Sequence, residues 1–473
     1  MTDISGDYNI DTERTQVRRG TLMKWIVFES LFLSIVLVTC SLAAPQIPQA
    51  PGSGDNIPMG QPPRSDSQIP QGQGEEQDLP KGQADIDADV FGKDQGRFHP
   101  FLSVEAKYMD NVFITNEDTK TDLITTIAPG FWLAVPGNRE RLLKISTSNT
   151  SPGGLQMSRI KPDATRRYQA YFMYSPEFVN FMDHSQHNHV SHKVEGMFMY
   201  NLKSGISFDI VNQFNDRKEV SNDGVADTLY KYKDNLFNII TTYDYSEKVK
   251  FRLDYSNYTL AFDEVLNEYR DRTDNSFGFY LFYKFRPKTS VFGEYEFADI
   301  AYDQGTLSDS TEHRYYGGIQ WDVTAKTRGR FKLGFIDKTF DQARYDDSQF
   351  FSMELQTQHN FTPKRALKVN AFRKSHETST SGASNFIKTG IEASWLQRFR
   401  EKWTGTYTLA YSQDDYQDST RKDDNFSTGP ALRFKPKKWL TFDLGYYYLL
   451  RNSTLSTYEY DANIIYFRAD LSF

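Results

Sequence analysis

From about residue 98 onward the sequence is written in segments in which apolar and polar side chains alternate one for one. Leu440, Phe442, Leu444, Tyr446, Tyr448 and Leu450 share one face of such a segment, and Thr441, Asp443, Gly445 and Tyr447 share the other. Val249, Phe251, Leu253 and Tyr255 alternate with Lys250, Arg252, Asp254 and Ser256, and Gly405, Tyr407, Leu409 and Tyr411 with Thr404, Thr406, Thr408 and Ser412. A period of two is that of a β-strand whose faces meet two different environments. No stretch of comparable length carries a helical period, so helical fold classes drop out.

Two kinds of connection punctuate the segments. Short basic turns fall near Lys203-Ser204-Gly205, Ser246-Glu247-Lys248, Arg286-Pro287-Lys288, Ala325-Lys326-Thr327, Thr362-Pro363-Lys364, Arg400-Glu401-Lys402 and Lys435-Pro436-Lys437, recurring every 35 to 43 residues. Between them lie longer acidic tracts, from Asp263-Glu264 to Asp274-Asn275 and from Asp414-Asp415 to Asp423-Asp424. Tight turns on one side and long loops on the other are the pattern of an outer-membrane barrel, with turns in the periplasm and loops outside. One earlier turn between Val135 and about Arg166 makes eight turns joining nine hairpins. The expected fold is all-β: a transmembrane antiparallel up-and-down β-barrel of about 18 strands. Residues 137–165 leave 16 and 20 strands open. Aromatic residues make up 15% of the chain, with 29 Tyr and 36 Phe, which suits girdles at both membrane interfaces. A soluble sandwich or propeller would leave the aromatics of its second face unexplained.

The chain divides into three parts. Residues 1–43 read as a signal peptide region: Met23-Lys24 precedes an apolar run from Trp25 and a small-residue exit at Ala43-Ala44, with Met23 a candidate start. A transmembrane anchor is the alternative. The single cysteine, Cys40, falls in this region, which leaves the exported chain without a thiol. Residues 44–97 are rich in Pro, Gln and Gly and read as a disordered periplasmic linker. Residues 98–473 are the barrel, ending on Ile465, Phe467, Ala469, Leu471 and Phe473 alternating with polar residues. Phe467, Leu471 and Phe473 form a terminal pattern that resembles the signal read by barrel-assembly machinery, an expected partner. The expected setting is the bacterial outer membrane, with lipid and lipopolysaccharide around the barrel. A net charge of -7 gives no reason to expect nucleic acid.

The opening strands carry a further signal. Phe101 to Phe113 ends in Asp110-Asn111-Val112-Phe113, and Thr121-Asp122-Leu123-Ile124 leads to Pro129-Gly130. This pairing resembles the beta-barrel porin 2 family. The resemblance implies an outer-membrane barrel found with exopolysaccharide or capsule export, working beside a periplasmic polysaccharide-export protein. It implies no catalytic residue and no cofactor.

Three sets of residues are candidates for chemistry. Lys250, Arg252, Asp254, Glu294, Glu296, Lys332 and Lys368 should face the lumen, because their neighbours Phe251, Leu253, Tyr295, Leu333 and Val369 are lipid-facing by type. A Lys or Arg on the lipid side would cost about 2–4 kcal/mol at midplane. Mixed sign argues against a strongly ion-selective pore. His184, His187, His189 and His192 cluster beside Asp183 in what reads as a flexible loop, and imidazoles so spaced are a candidate transition-metal set. The competing reading is a polar external loop without a metal, running into the strand that holds Val194, Met197 and Met199. No Gly-x-Ser-x-Gly or His-Glu-x-x-His signature is present, and His313 and His376 read as isolated loop residues. The functions left in play are an export or diffusion porin, a plugged anchor or receptor barrel, and a barrel-borne hydrolase.

Overall fold

The computed structural model describes residues 97–135, 167–220, 228–321, 326–378 and 382–472. The regions read as signal peptide and linker, the segment 137–165 and Phe473 lie outside these residues. Eighteen strands follow one another. The first nine are β1 (Phe98–Met109), β2 (Asp122–Val135), β3 (Tyr168–Phe181), β4 (His189–Asn201), β5 (Ile206–Val220), β6 (Leu229–Asp244), β7 (Val249–Phe262), β8 (Arg272–Arg286) and β9 (Thr289–Tyr302). The second nine are β10 (Ser310–Trp321), β11 (Thr327–Phe340), β12 (Ser348–Thr362), β13 (Arg365–Glu377), β14 (Asn385–Arg400), β15 (Trp403–Tyr416), β16 (Lys422–Lys437), β17 (Leu440–Ser453) and β18 (Tyr460–Ser472).

Each strand pairs antiparallel with its neighbours in sequence, and β1 pairs with β18 from Phe101↔Ser472 to Met109↔Ile464. The sheet therefore closes into an up-and-down barrel without an edge, the arrangement that leaves no unpaired ladder in lipid. Eighteen strands decide among the counts that the sequence left open. Alternation sets the two faces. Leu253 is 56% exposed and its neighbour Asp254 4%; Phe277 is 54% exposed and Ser276 1%. Aromatic and aliphatic side chains thus point outward, and the polar set points in.

Prolines locate the local irregularities. Pro129 of β2 and Pro176 of β3 fall in a gap of that ladder, which runs to Ile127↔Phe178 and resumes at Phe131↔Tyr174. The β16–β17 ladder skips Pro430 in the same way, and at Pro436 it shifts register, from Phe434↔Phe442 to Lys437↔Leu440. Proline has no N–H to give a ladder, so the pairing lapses there. Pro436 does not end its strand, as the sequence suggested; β16 runs on to Lys437 and the turn is Lys438-Trp439. The acidic tract 414–424 is likewise shorter as a loop than it reads. Asp414 and Asp415 belong to β15 and Asp423 and Asp424 to β16, because their side chains pair along the wall.

Candidate functional site

The inner wall from β7 to β13 carries a ladder of buried ion pairs. Arg252 Nε lies 2.7 Å from Asp254 Oδ1. Glu294 receives Lys332 at 2.5 Å and Arg330 at 2.9 Å. Glu296 accepts from the Tyr280 hydroxyl at 2.6 Å and from Arg314 at 3.3 Å, and Arg314 also reaches Glu312 at 2.6 Å. Lys338 bridges Glu312 at 3.1 Å and Glu377 at 2.5 Å, and Glu377 accepts from the Tyr302 hydroxyl at 3.0 Å. Lys374 closes on Glu354 at 3.0 Å. Each ion taken out of water costs several kcal/mol, and only mutual pairing of this kind offsets it.

Two of the seven lumen candidates stand apart from the ladder. Lys250 sits at the turn end, largely exposed, and pairs with Asp244 at 3.0 Å. Lys368 faces Ser394 in register on a half-buried stretch of β13. Glu312, Arg314, Arg330, Lys338, Glu354, Lys374 and Glu377 complete the ladder but were not singled out from the sequence. Alternation would have found most of them, since Arg314 stands between His313 and Tyr315 and Lys338 lies an even six places after the lumen candidate Lys332.

At the loop end the connection between β1 and β2 turns into the barrel. Asn111, Val112, Phe113, Ile114 and Thr115 are all buried, Val112 completely and Phe113 to 1% exposure. They pack with Phe181 of β3, Leu229 of β6, Leu449 of β17, and Ala462 and Ile464 of β18. This corrects the reading of Asp-Asn-Val-Phe as the end of the first strand: β1 stops at Met109, and the four residues form the root of a plug. Three polar clamps explain why the chain turns there. Asp110 accepts from the backbone N–H and the Nδ2 of Asn463, both at 2.7 Å. Asn111 donates to the Thr115 and Asp461 carbonyls at 2.8 and 2.9 Å and accepts from the Thr115 N–H at 3.1 Å. Asp122, fully buried, accepts from the backbone N–H groups of Met182, Asp183 and His184 and from His184 Nδ1 at 2.8 Å.

His184 belongs to that clamp, but the four clustered histidines do not converge. The rings of His184 and His187 meet Phe113 edge-on at 5.1 and 5.3 Å between centroids. His189 Nδ1 donates to the His187 carbonyl at 2.8 Å, and His192 meets the Tyr174 hydroxyl at 3.0 Å. Among the described residues no group of three or more His, Cys, Asp or Glu is placed to hold a metal. The run is also not one loop: His189 and His192 lie in β4, after a single 3-10 turn at Ser185–His187. His313 and His376, read as loop residues, lie in β10 and β13. His313 bonds the Tyr295 hydroxyl at 2.9 Å, and His376 stacks on Phe386.

The remaining inner wall differs in character. Register carries the inward set from Glu354 through Phe372, Gly390 and Ser412 to Asn425. On that count Thr404, Thr406 and Thr408 of β15 and Ser394 of β14 face the lumen, and all four are half-buried. Ser394 Oγ and Thr408 Oγ1 lie 3.3 Å apart. The inner side of β15 is thus a hydroxyl-bearing, uncharged strip in its turn-end half. Beyond it, Arg433 pairs with Asp443 and Arg468 with Asp470, each at 2.7 Å. Phe467 and Leu471 of the terminal pattern belong to β18, and Phe467 points outward.

Comparison with known proteins gives distant likenesses among solved structures and one family match. The outer membrane protein OpdK from Pseudomonas aeruginosa has a TM-score of 0.44 at 10% identity, over 80% of this chain and 99% of that one. The siderophore receptor PirA from Pseudomonas aeruginosa gives 0.41 at 9%, over 81% of each chain. A bacterial polysaccharide outer membrane secretin gives 0.32 at 10%, over 79% of this chain and 97% of that one. No curated protein sequence matches the chain. The family described as "Putative beta-barrel porin 2" matches residues 238–473, from within β6 to the end, a region apart from the two strands on which the resemblance was drawn. The chain belongs to that family and is an outer-membrane, porin-like β-barrel.

Proposed function

We propose that this barrel is a translocation channel for surface polysaccharide, delivering an exopolysaccharide or capsular chain handed over by a periplasmic polysaccharide-export protein. The uncharged hydroxyl strip on the turn-end half of β15, with Ser394 of β14 beside it, carries the reading. A polyol chain exchanges hydrogen bonds readily with Ser and Thr hydroxyls. A ladder whose charges are already paired neither traps ions nor demands a charged cargo. The test is a clean deletion in the native host. Surface polysaccharide is expected to fall while precursor accumulates inside the cell; unchanged surface polysaccharide would leave a general diffusion porin.

A second reading, a plugged barrel acting as an anchor or receptor, is favoured by the buried β1–β2 loop. Purified barrel in planar bilayers separates the two. Steady open-state current supports a channel, and silence in both the native protein and one lacking residues 111–119 supports the anchor.

A further inference from the structure

The turn end of the barrel is ringed by cations. Every described turn there presents an exposed Lys or Arg: Lys203, Lys248, Arg286, Lys364, Lys402 and Lys438 mark six of them, and Lys326 flanks a seventh. Arg398 and Arg400 add to the β14–β15 turn, and Lys284 and Lys288 to the β8–β9 turn. Exposed acids at the same rim are few among the described residues: Asp244, which Lys250 already holds, with Glu247 and Glu401. The opposite rim has the reverse balance. Glu117, Asp118, Asp183, Asp303, Asp341 and Asp346 are exposed there.

Just inside the cationic ring lies a belt of outward aromatics. Tyr245, Phe285, Phe361, Phe399, Trp395 and Trp403 are all exposed within a few residues of the turns. Aromatic rings favour the level of lipid headgroups, and Lys and Arg stems extend past that level toward phosphate. A docked protein would need cations on one sector only. Here they occur at each described turn, directly outside the apolar belt.

We propose that the turn-end ring binds the anionic phospholipid headgroups of the leaflet around it, and so fixes that end of the barrel in the phospholipid leaflet of the outer membrane. Each cation near an anionic surface strengthens attachment by about fivefold at low ionic strength, and salt screens the effect.

Trp395 and Trp403 provide the readout, because both stand beside Arg398, Arg400 and Lys402. The full-length barrel is reconstituted into phosphatidylcholine vesicles containing about one-third phosphatidylglycerol, with bromine on the acyl chains of one lipid or the other. Tryptophan quenching should be stronger when the bromine is on phosphatidylglycerol, and the excess should fall in high salt. In a W321F/W439F background, which removes the tryptophans beside two other cationic turns, the variant R398Q/R400Q/K402Q should lose the excess while retaining the folded barrel's resistance to unfolding in cold detergent. Equal quenching by the two lipids in the native barrel would overturn the proposal. So would an excess that the triple variant keeps. An acidic peptide that binds the barrel through these three residues, with no preference between the lipids, would make the ring a protein-docking surface instead.

Discussion

Phe113 closes the loop end by filling a space between two imidazoles and Phe181, with no bond of its own to hold it. Replacing it with Ala removes most of that filling, at a cost of about 3–5 kcal/mol to the plug. The barrel wall is continuous without it, so Phe113→Ala should keep its strands while single-channel current rises and the loop becomes open to protease. Lys338 behaves differently, because its loss strands charge. Lys338→Met leaves Glu377 buried beside Glu312, which keeps only Arg314, an expected loss of about 3–5 kcal/mol read as a lower urea midpoint. Adding Glu377→Gln should recover part of it, and full additivity of the two losses would contradict the bridge. Side-chain direction at both positions differs in how well the sequence shows it. Lys338 could be placed on the inner face by counting twos, although its partner 39 residues away could not be named. Phe113 could not be placed, since Val112-Phe113-Ile114 after a strand reads as more strand.

The connection between β7 and β8 shows how an element is held by charge at its two ends. Asp263 takes Lys231 at 2.6 Å and Lys233 at 2.8 Å, and those hydrogen bonds hold its carboxyl below the usual 3.8. Asp271 accepts the Phe262 N–H at 2.8 Å, yet burial, with Asp303 and Glu268 nearby, pushes its carboxyl above 3.8. The signs are opposite. A raised folded value means that the native loop takes up a proton more readily than the unfolded one, so acidification toward 3.8 first favours the loop through Asp271. A lowered folded value means that the Asp263 clamp is fully present above 3.8 and is lost as pH falls through the lower value. Hydrogen exchange at the amides of Val265–Arg270 should therefore show protection rising slightly and then falling as acid is added; a monotonic change would refute the pair of assignments. The existence of this loop was plain from its acids. The way that it is pinned was not, because Lys231 and Lys233 sit on the neighbouring strand.

For the molecule as a whole, period two and evenly spaced turns were enough to give a closed barrel of about 18 strands, with the exact count left open by residues 137–165. Both are local properties that repeat. How the inner wall is divided is a different matter, since paired ions on one arc and hydroxyls on another depend on which strands the closure brings opposite one another. The electrical prediction belongs at this scale. With inner-wall charges paired off, reversal potentials across a salt gradient should indicate weak preference for either ion. The variant Glu294→Gln, which frees Lys332 and Arg330, should shift the pore toward anions. An unchanged reversal potential would mean that current flows along a path away from this ladder.

The seam between the first and last strands has a consequence for how the protein is made. Asp110 and Asn463 are 353 residues apart, and their clasp joins the two ends of the ladder. Loop-closure entropy must be overcome before so distant a contact is gained, and topologies built on distant contacts fold slowly. Until β18 arrives, β1 exposes a bare strand edge that any other chain could pair with. Synthesis presents β1 first and β18 last, so this edge stays open for the longest interval that the topology allows. A Asp110→Ala protein should reach the same final barrel more slowly and lose more material to aggregation during refolding, while its unfolding rate changes little if the clasp acts in the closing step.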